Sequence, residues 1–182
     1  METLRGTHKR QEKIDGVFCD MPSNVNYGHA IVDGNIHNLI RSGLKEGQGY
    51  AFIENIRYLY HPAQNDDYVL PDIMVTDGRE LPKEGCYRGT PRLIVETLSA
   101  ATALRDETVK KDLYETAGVE EYWLVSPAGR SVRVYYLEKG RYVLTRSHIL
   151  EEDGEEEAGT LLCPRAFPDV AVRLGDIFEG LD

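Results

Sequence analysis

The chain has 182 residues, of which 41% are hydrophobic and 29% charged, with a formal net charge of −10. That length suits one domain with its own core and is tight for two. The balance excludes a disordered tail and a membrane-embedded chain, because the longest apolar runs, such as Leu93-Ile94-Val95, fall far short of a span. The segment Met1 to Ile14 is polar and lacks the apolar stretch of a secretory signal, so a soluble, cytoplasmic protein is expected. Three cysteines, Cys19, Cys86 and Cys163, show no CxxC or CxxH spacing, which argues against a structural zinc site and fits free thiols. The acid is concentrated: 151–157 holds six carboxylates around Gly154, and removing their six charges from −10 leaves −4. Like charges repel, so this run reads as a solvated loop.

In chain order, residues 1–21 form a polar lead and residues 22–182 the expected single domain. Asn24 to Leu44 reads as a helix from the spacing of Ile31, Ile36, Leu39, Ile40 and Leu44. Strand-like segments follow at Tyr50 to His61, Tyr68 to Thr76 and Pro91 to Leu98; the apolar run in the last suits a central strand covered on both faces. A helix is expected from Thr102 to Ala117, closed by Gly118. Glu121 to Ser126 reads as a buried strand, and Val132 to Leu137 with Tyr142 to Arg146 as a hairpin around Lys139-Gly140. Val170 to Phe178 makes a last short element. The order implies an α/β (α+β) fold: a mixed central sheet flanked by helices, with a C-terminal hairpin extension.

Three features carry chemistry. Pro71-Asp72 interrupts a strand pattern where proline cannot donate to the ladder, marking a bend or a special site. Glu96 abuts Leu93-Ile94-Val95 and by alternation shares a face with Ile94 and Leu98, a costly place for an unpaired carboxylate. On the helix after it, a face defined by Val109, Leu113 and Ala117 sets Asp106 roughly 20° and Lys110 roughly 60° from its centre, with Lys111 roughly 160° away. Lys111 should therefore face water, while Asp106 points into the packed face and Lys110, four residues on and able to pair with it, sits at the border of that face. Two carboxylates and a lysine suit a hard divalent cation, which polarises a phosphoryl oxygen and acidifies a bound water. The lysine would orient or deprotonate that water, or stabilise developing charge.

The ordered set Pro71-Asp72-Ile73, Ile94-Val95-Glu96-Thr97-Leu98-Ser99, Thr102, Arg105-Asp106, Lys110, Tyr114, Gly118-Val119 and Glu121-Tyr122-Trp123-Leu124-Val125 resembles the Uma-type family of restriction-endonuclease-like proteins in the PD-(D/E)XK nuclease superfamily. The resemblance runs from about Pro22 to Phe178. It implies a restriction-endonuclease-like fold, Asp72 and Glu96 as ligands of Mg2+ (or Mn2+), and a magnesium-dependent endodeoxyribonuclease acting on DNA. It implies a catalytic lysine at Lys110 on the following helix, since Leu98 stands where the superfamily usually places it. His29 matches an accessory histidine of the family and joins Asp106 as an auxiliary residue. Ala100 and Ser126 depart from the family's usual Pro and Asp. A homodimer would supply two active sites for cutting both strands. Two rival readings remain: a catalytically inactive binding or regulatory module, favoured by the net charge, and an RNA or nucleotide phosphodiesterase on the same site. Arg130, Arg133, Arg141 and Arg146 form a candidate basic stripe on the hairpin.

Overall fold

A computed structural model describes residues 10–21, 26–151 and 153–181. The expected start of the first helix at Asn24, and Glu152 of the acidic run, lie outside the described residues.

Two short strands, β1 (Gln11–Ile14) and β2 (Val17–Asp20), open the described chain as a hairpin. Helix α1 spans Tyr27–Gly43; Asn26 caps it by accepting from the Gly28 amide at 3.1 Å. Then come β3 (Tyr50–Ile53), β4 (Arg57–Tyr58), β5 (Ile73–Thr76), β6 (Cys86–Tyr87) and β7 (Leu93–Thr97). The single strand expected from Tyr50 to His61 is broken in two, because Glu54 and Asn55 take positive φ values of 44° and 57° and turn the chain out of the sheet.

The helix expected from Thr102 to Ala117 is present but not uniform. It comprises α2 (Ala103–Arg105), a π turn (Asp106–Lys110) and α3 (Lys111–Ala117), closed by Gly118 at φ 81°. The π turn changes the face the sequence predicts. Val109, expected inside, is exposed, while Asp106, Lys110, Leu113 and Tyr114 are buried. The angular reasoning assumes a constant 100° per residue, and a π turn violates that assumption within the segment of interest.

β8 (Glu121–Ser126), β9 (Ser131–Glu138) and β10 (Arg141–Ile149) complete the sheet. The β9–β10 hairpin turns at Lys139-Gly140, both with positive φ, as two-residue hairpin loops require. The acidic run, expected as an extended loop, contains one helical turn, α4 (Glu155–Ala158), and is mostly exposed. β11 (Leu161–Leu162), β12 (Val172–Arg173) and α5 (Leu174–Ile177) end the fold.

The central sheet has six strands in the order β10-β9-β8-β7-β5-β3, with β7 and β8 parallel and the other pairs antiparallel. Side-chain alternation divides β5 and β7 between two cores. Ile73, Val75, Leu93 and Val95 pack with Val32, Ile36 and Ile40 of α1 and with Leu174 and Ile177 of α5. Met74 and Ile94 pack on the other face with Leu113 and Tyr114 of α3 and with Tyr58, Tyr122 and Tyr135. No described helix is long and apolar enough to cross a membrane.

Candidate active site

The strand register builds the site. In the antiparallel β5–β7 pair, Ile73 lies opposite Val95 and Met74 opposite Ile94. The same register carried one residue further sets Asp72 beside Glu96, on the face that carries Met74 and Ile94. Directly opposed side chains on one face lie about 5 Å apart at Cβ, so two carboxylates confront each other at the end of two central strands. Like charges so placed are destabilising unless a cation intervenes.

One cation is already there. Lys110, buried at 2% exposure, places its Nζ 3.0 Å from Glu96 Oε1 and 3.6 Å from Asp106 Oδ1. Its third partner was not expected: Nζ lies 2.9 Å from Oε1 of Glu12, a fully buried carboxylate on β1. That same oxygen accepts the Leu70 amide at 2.9 Å, and Glu12 Oε2 lies 3.5 Å from the Arg105 guanidinium. Tyr114 donates its hydroxyl to Glu96 Oε1 at 2.6 Å. Burial pushes the Glu96 carboxyl well above its ordinary range, with Lys110 opposing and Asp72, Asp106 and Glu12 reinforcing the rise. Asp106 is raised for the same reason, and its Oδ1 is buried without a hydrogen-bond partner among the described residues. Burial disfavours the Lys110 ammonium, but the carboxylates around it outweigh burial and raise its pKa, so it stays protonated.

A second group meets Asp72 from α1. The Thr97 amide donates to Asp72 Oδ2 at 2.9 Å, and His29 Nε2 lies 3.3 Å from the same oxygen. His29 Nδ1 lies 2.8 Å from Asp33 Oδ2, an ion-pair contact without the alignment of a hydrogen bond. Asp33 is buried one turn along α1 from His29, and its Oδ1 accepts from the Thr97 hydroxyl. Burial lowers the His29 pKa, but Asp33 and Asp72 outweigh it and raise the imidazole to about 10. Asp72 is lowered despite its burial because His29, Lys110 and the Thr97 amide favour its charged form. Asp33 is raised by burial, His29 notwithstanding. His29, Asp33 and Asp72 each present a ligand atom within 4.8 Å of the others, a spacing open to a metal ion.

His29, Asp72, Glu96, Asp106 and Lys110 all line one cavity of about 50 Å³, together with Arg10, Glu54 and others. The candidate residues named from the sequence are therefore brought together. Glu12, Asp33 and Thr97 were not singled out. Asp33 had a readable signal, since it follows His29 by four residues on the buried face of α1. Three of the four arginines of the basic stripe are engaged within the chain: Arg133 pairs with Glu107, Arg141 with Glu115, and Arg130 donates to the Leu181 carbonyl.

The fold and this constellation can be set beside known proteins. Residues 1–175 match the Uma2 family, described as "Putative restriction endonuclease". The chain belongs to that family. A crystal structure of a "putative nuclease belonging to DUF820" from Anabaena variabilis ATCC 29413 superposes with a TM-score of 0.74 at 20% identity, covering 97% of this chain and 93% of that one. At that identity the likeness shows a shared fold. No curated protein matches the chain. The Uma2 match covers the β1–β2 hairpin as well, and so includes Glu12.

The residues present fit a divalent cation. Glu12, Asp72, Glu96 and Asp106 are four buried carboxylates grouped around one buried ammonium, and Asp106 Oδ1 and Asp33 Oδ2 are buried oxygens without hydrogen-bond partners among the described residues. Buried negative charge in such excess is costly unless a cation offsets it. Oxygen-rich ligand sets of this kind suit magnesium or manganese.

Proposed function

We propose that this protein is a magnesium- or manganese-dependent nuclease that hydrolyses phosphodiester bonds in DNA, with Asp72 and Glu96 holding the metal and Lys110 as the catalytic cation. The observation that carries this reading is the excess of buried carboxylate around Lys110, in a cavity at the ends of β5 and β7. When bound, the metal would supply Lewis acidity toward a phosphoryl oxygen and acidity to a bound water.

The chain's own residues do the rest. In the metal-free site Glu12 and Glu96 favour the ammonium form of Lys110. Its role is to orient the attacking water as a donor and to stabilise negative charge that develops on the phosphoryl group. Asp106 and Glu12 hold the ammonium in position, and Tyr114 fixes the Glu96 carboxylate through its hydroxyl. His29 orients Asp72, and Asp33 together with Thr97 orients His29. A second placement of the metal, on His29, Asp33 and Asp72, is favoured by the convergence of their ligand atoms and shares Asp72 with the first.

The test is cleavage of supercoiled plasmid in magnesium or manganese by wild type, Asp72→Asn and Lys110→Gln, with melting curves to show that each is folded. The expected result is nicking or linearisation by wild type alone. Cleavage by all three would refute the site. Cleavage by none would leave the fold as a binding module or direct attention to RNA, which the same assay on a labelled RNA strand decides. Size-exclusion chromatography of the active species shows whether two copies act together.

A further inference from the structure

Of the residues lining the cavity, His29, Lys110 and Arg10 carry cationic groups, and they differ in how fully they are matched. Lys110 sits among three carboxylates, and His29 is held between Asp33 and Asp72. Arg10 is different. It immediately precedes β1, with its side chain about one-third exposed, and its Nη1 lies 3.3 Å from Glu54 Oε2 in a similarly exposed pair. Its Nε and Nη2 are shielded from solvent and have no hydrogen-bond partner among the described residues. Unmatched, shielded donors cost free energy, and native structures rarely leave two on one side chain.

The edge formed by Nε and Nη2 is a planar pair of parallel donors. That geometry matches two oxygens of one phosphate group and carries a charge that does not titrate away. The setting also selects the ligand. Glu54, Asp72, Glu96 and Asp106 share the cavity and would repel any anion, so an oxyanion is admitted only when a divalent cation offsets them. Asn26, Ser99 and Thr102 line the same cavity and supply neutral donors for the rest of a sugar–phosphate chain.

We propose that Arg10 is a phosphate-binding residue: released from Glu54, its guanidinium turns its Nε–Nη2 edge, closed to solvent in this structure, to the two non-bridging oxygens of a phosphodiester group neighbouring the bond that is cut. This rests on the phosphodiester reading of the site. Glu54 is the resting partner of Arg10 and competes with the substrate for it. Glu54 is held in that position by its backbone, since its amide donates to the Asp72 carbonyl at 2.9 Å in a positive-φ conformation.

The experiment is fluorescence anisotropy of a labelled single-stranded DNA 20-mer in calcium, with wild type, Arg10→Ala, Arg10→Lys and Glu54→Gln. Arg10→Ala is expected to weaken binding about tenfold and to reduce the dependence of log affinity on log salt by about one. Arg10→Lys should recover part of the affinity, because it restores the charge without the fork. Glu54→Gln should bind as tightly as wild type or tighter. Unchanged affinity in Arg10→Ala, or no binding by wild type, overturns the proposal. So does a Glu54→Gln loss equal to that of Arg10→Ala, which would make the ion pair structural. Plasmid cleavage in magnesium separates the two readings. Arg10-dependent binding without cleavage by wild type sinks the nuclease and leaves the phosphate site. Cleavage by Arg10→Ala with an unchanged KM does the reverse.

Discussion

The two faces of the central sheet are built from different chemistry. The face beneath α1 and α5 is packed with Val, Ile, Leu, Phe, one Trp and one Tyr, and the Asp33–Thr97 contact brings a buried carboxylate to it. The face beneath α3 is a cluster of tyrosines, with Tyr114, Tyr122, Tyr135 and Tyr142 ring against ring, and it opens at one end onto Glu96, Asp106 and Lys110. The first face stabilises chiefly by removing apolar surface from water, and its buried carboxylates Asp33 and Glu121 accept from the Thr97 hydroxyl and from the Trp123 indole and Arg165 amide. The second combines large apolar area with hydroxyls. Tyr114 and Tyr122 donate to the Glu96 carboxylate and the Asp106 carbonyl, so the same rings that fill space also position the charged cluster. A core of leucines there would leave Glu96 with Lys110 but without the Tyr114 hydroxyl.

If that division is right, substitutions on the two faces should separate stability from metal binding. The largest effect belongs to Lys110→Met, which leaves Glu12, Glu96 and Asp106 buried without their cation. It should cost about 3–5 kcal/mol in chemical denaturation of the metal-free protein, with part of the loss returned by manganese. Ile36→Ala, on the apolar face, should cost about 2–5 kcal/mol from lost burial and a cavity, while leaving manganese affinity unchanged in calorimetry. Equal effects of both substitutions on affinity would erase the distinction between the faces.

Thr97→Val sits where the faces meet. It removes the hydroxyl donor to Asp33 and should cost about 1–3 kcal/mol, with a weaker manganese affinity if Asp33 orients His29. Smallest is a pH effect. In chelator-treated protein the His29 imidazolium is favoured in the fold, with a pKa raised to about 10 against an ordinary 6.5. Its contribution is complete below about pH 6.5 and fades as pH rises toward 10. The melting temperature of wild type should therefore fall more over that interval than that of His29→Gln; parallel curves would show that the imidazole is neutral in the fold.

Much of this arrangement can be read in the sequence where the reasoning depends on strands. Leu93-Ile94-Val95 announces a central strand, and alternation from it places Glu96 on the face of Ile94 and Leu98. Regular helical spacing points Asp106 into the packed face and leaves Lys110 at its border; the structure buries both, and exposes Val109, which the same spacing places inside. A π turn carries no sequence signature, so a regular helix was the only basis for angles. Glu12 escaped because residues 1–21 read as a polar lead. Yet Asp15-Gly16 stands between two strand-length segments, and both residues take the positive φ of a tight hairpin turn. Asp-Gly is the strongest short-range hairpin signal, and alternation on β1 would then have directed Glu12 to one side. What no local pattern supplies is that this hairpin docks through Lys13 and Tyr68 against the chain before β5, which brings Glu12 to Lys110.

The account stands or falls on whether the carboxylate cluster holds a metal, and manganese titration by isothermal calorimetry, wild type beside Asp72→Asn, measures that directly. A saturable site in wild type that is lost in Asp72→Asn, with a matching rise in melting temperature only for wild type, is the predicted result. No binding by wild type, or equal binding by the two proteins, would contradict it.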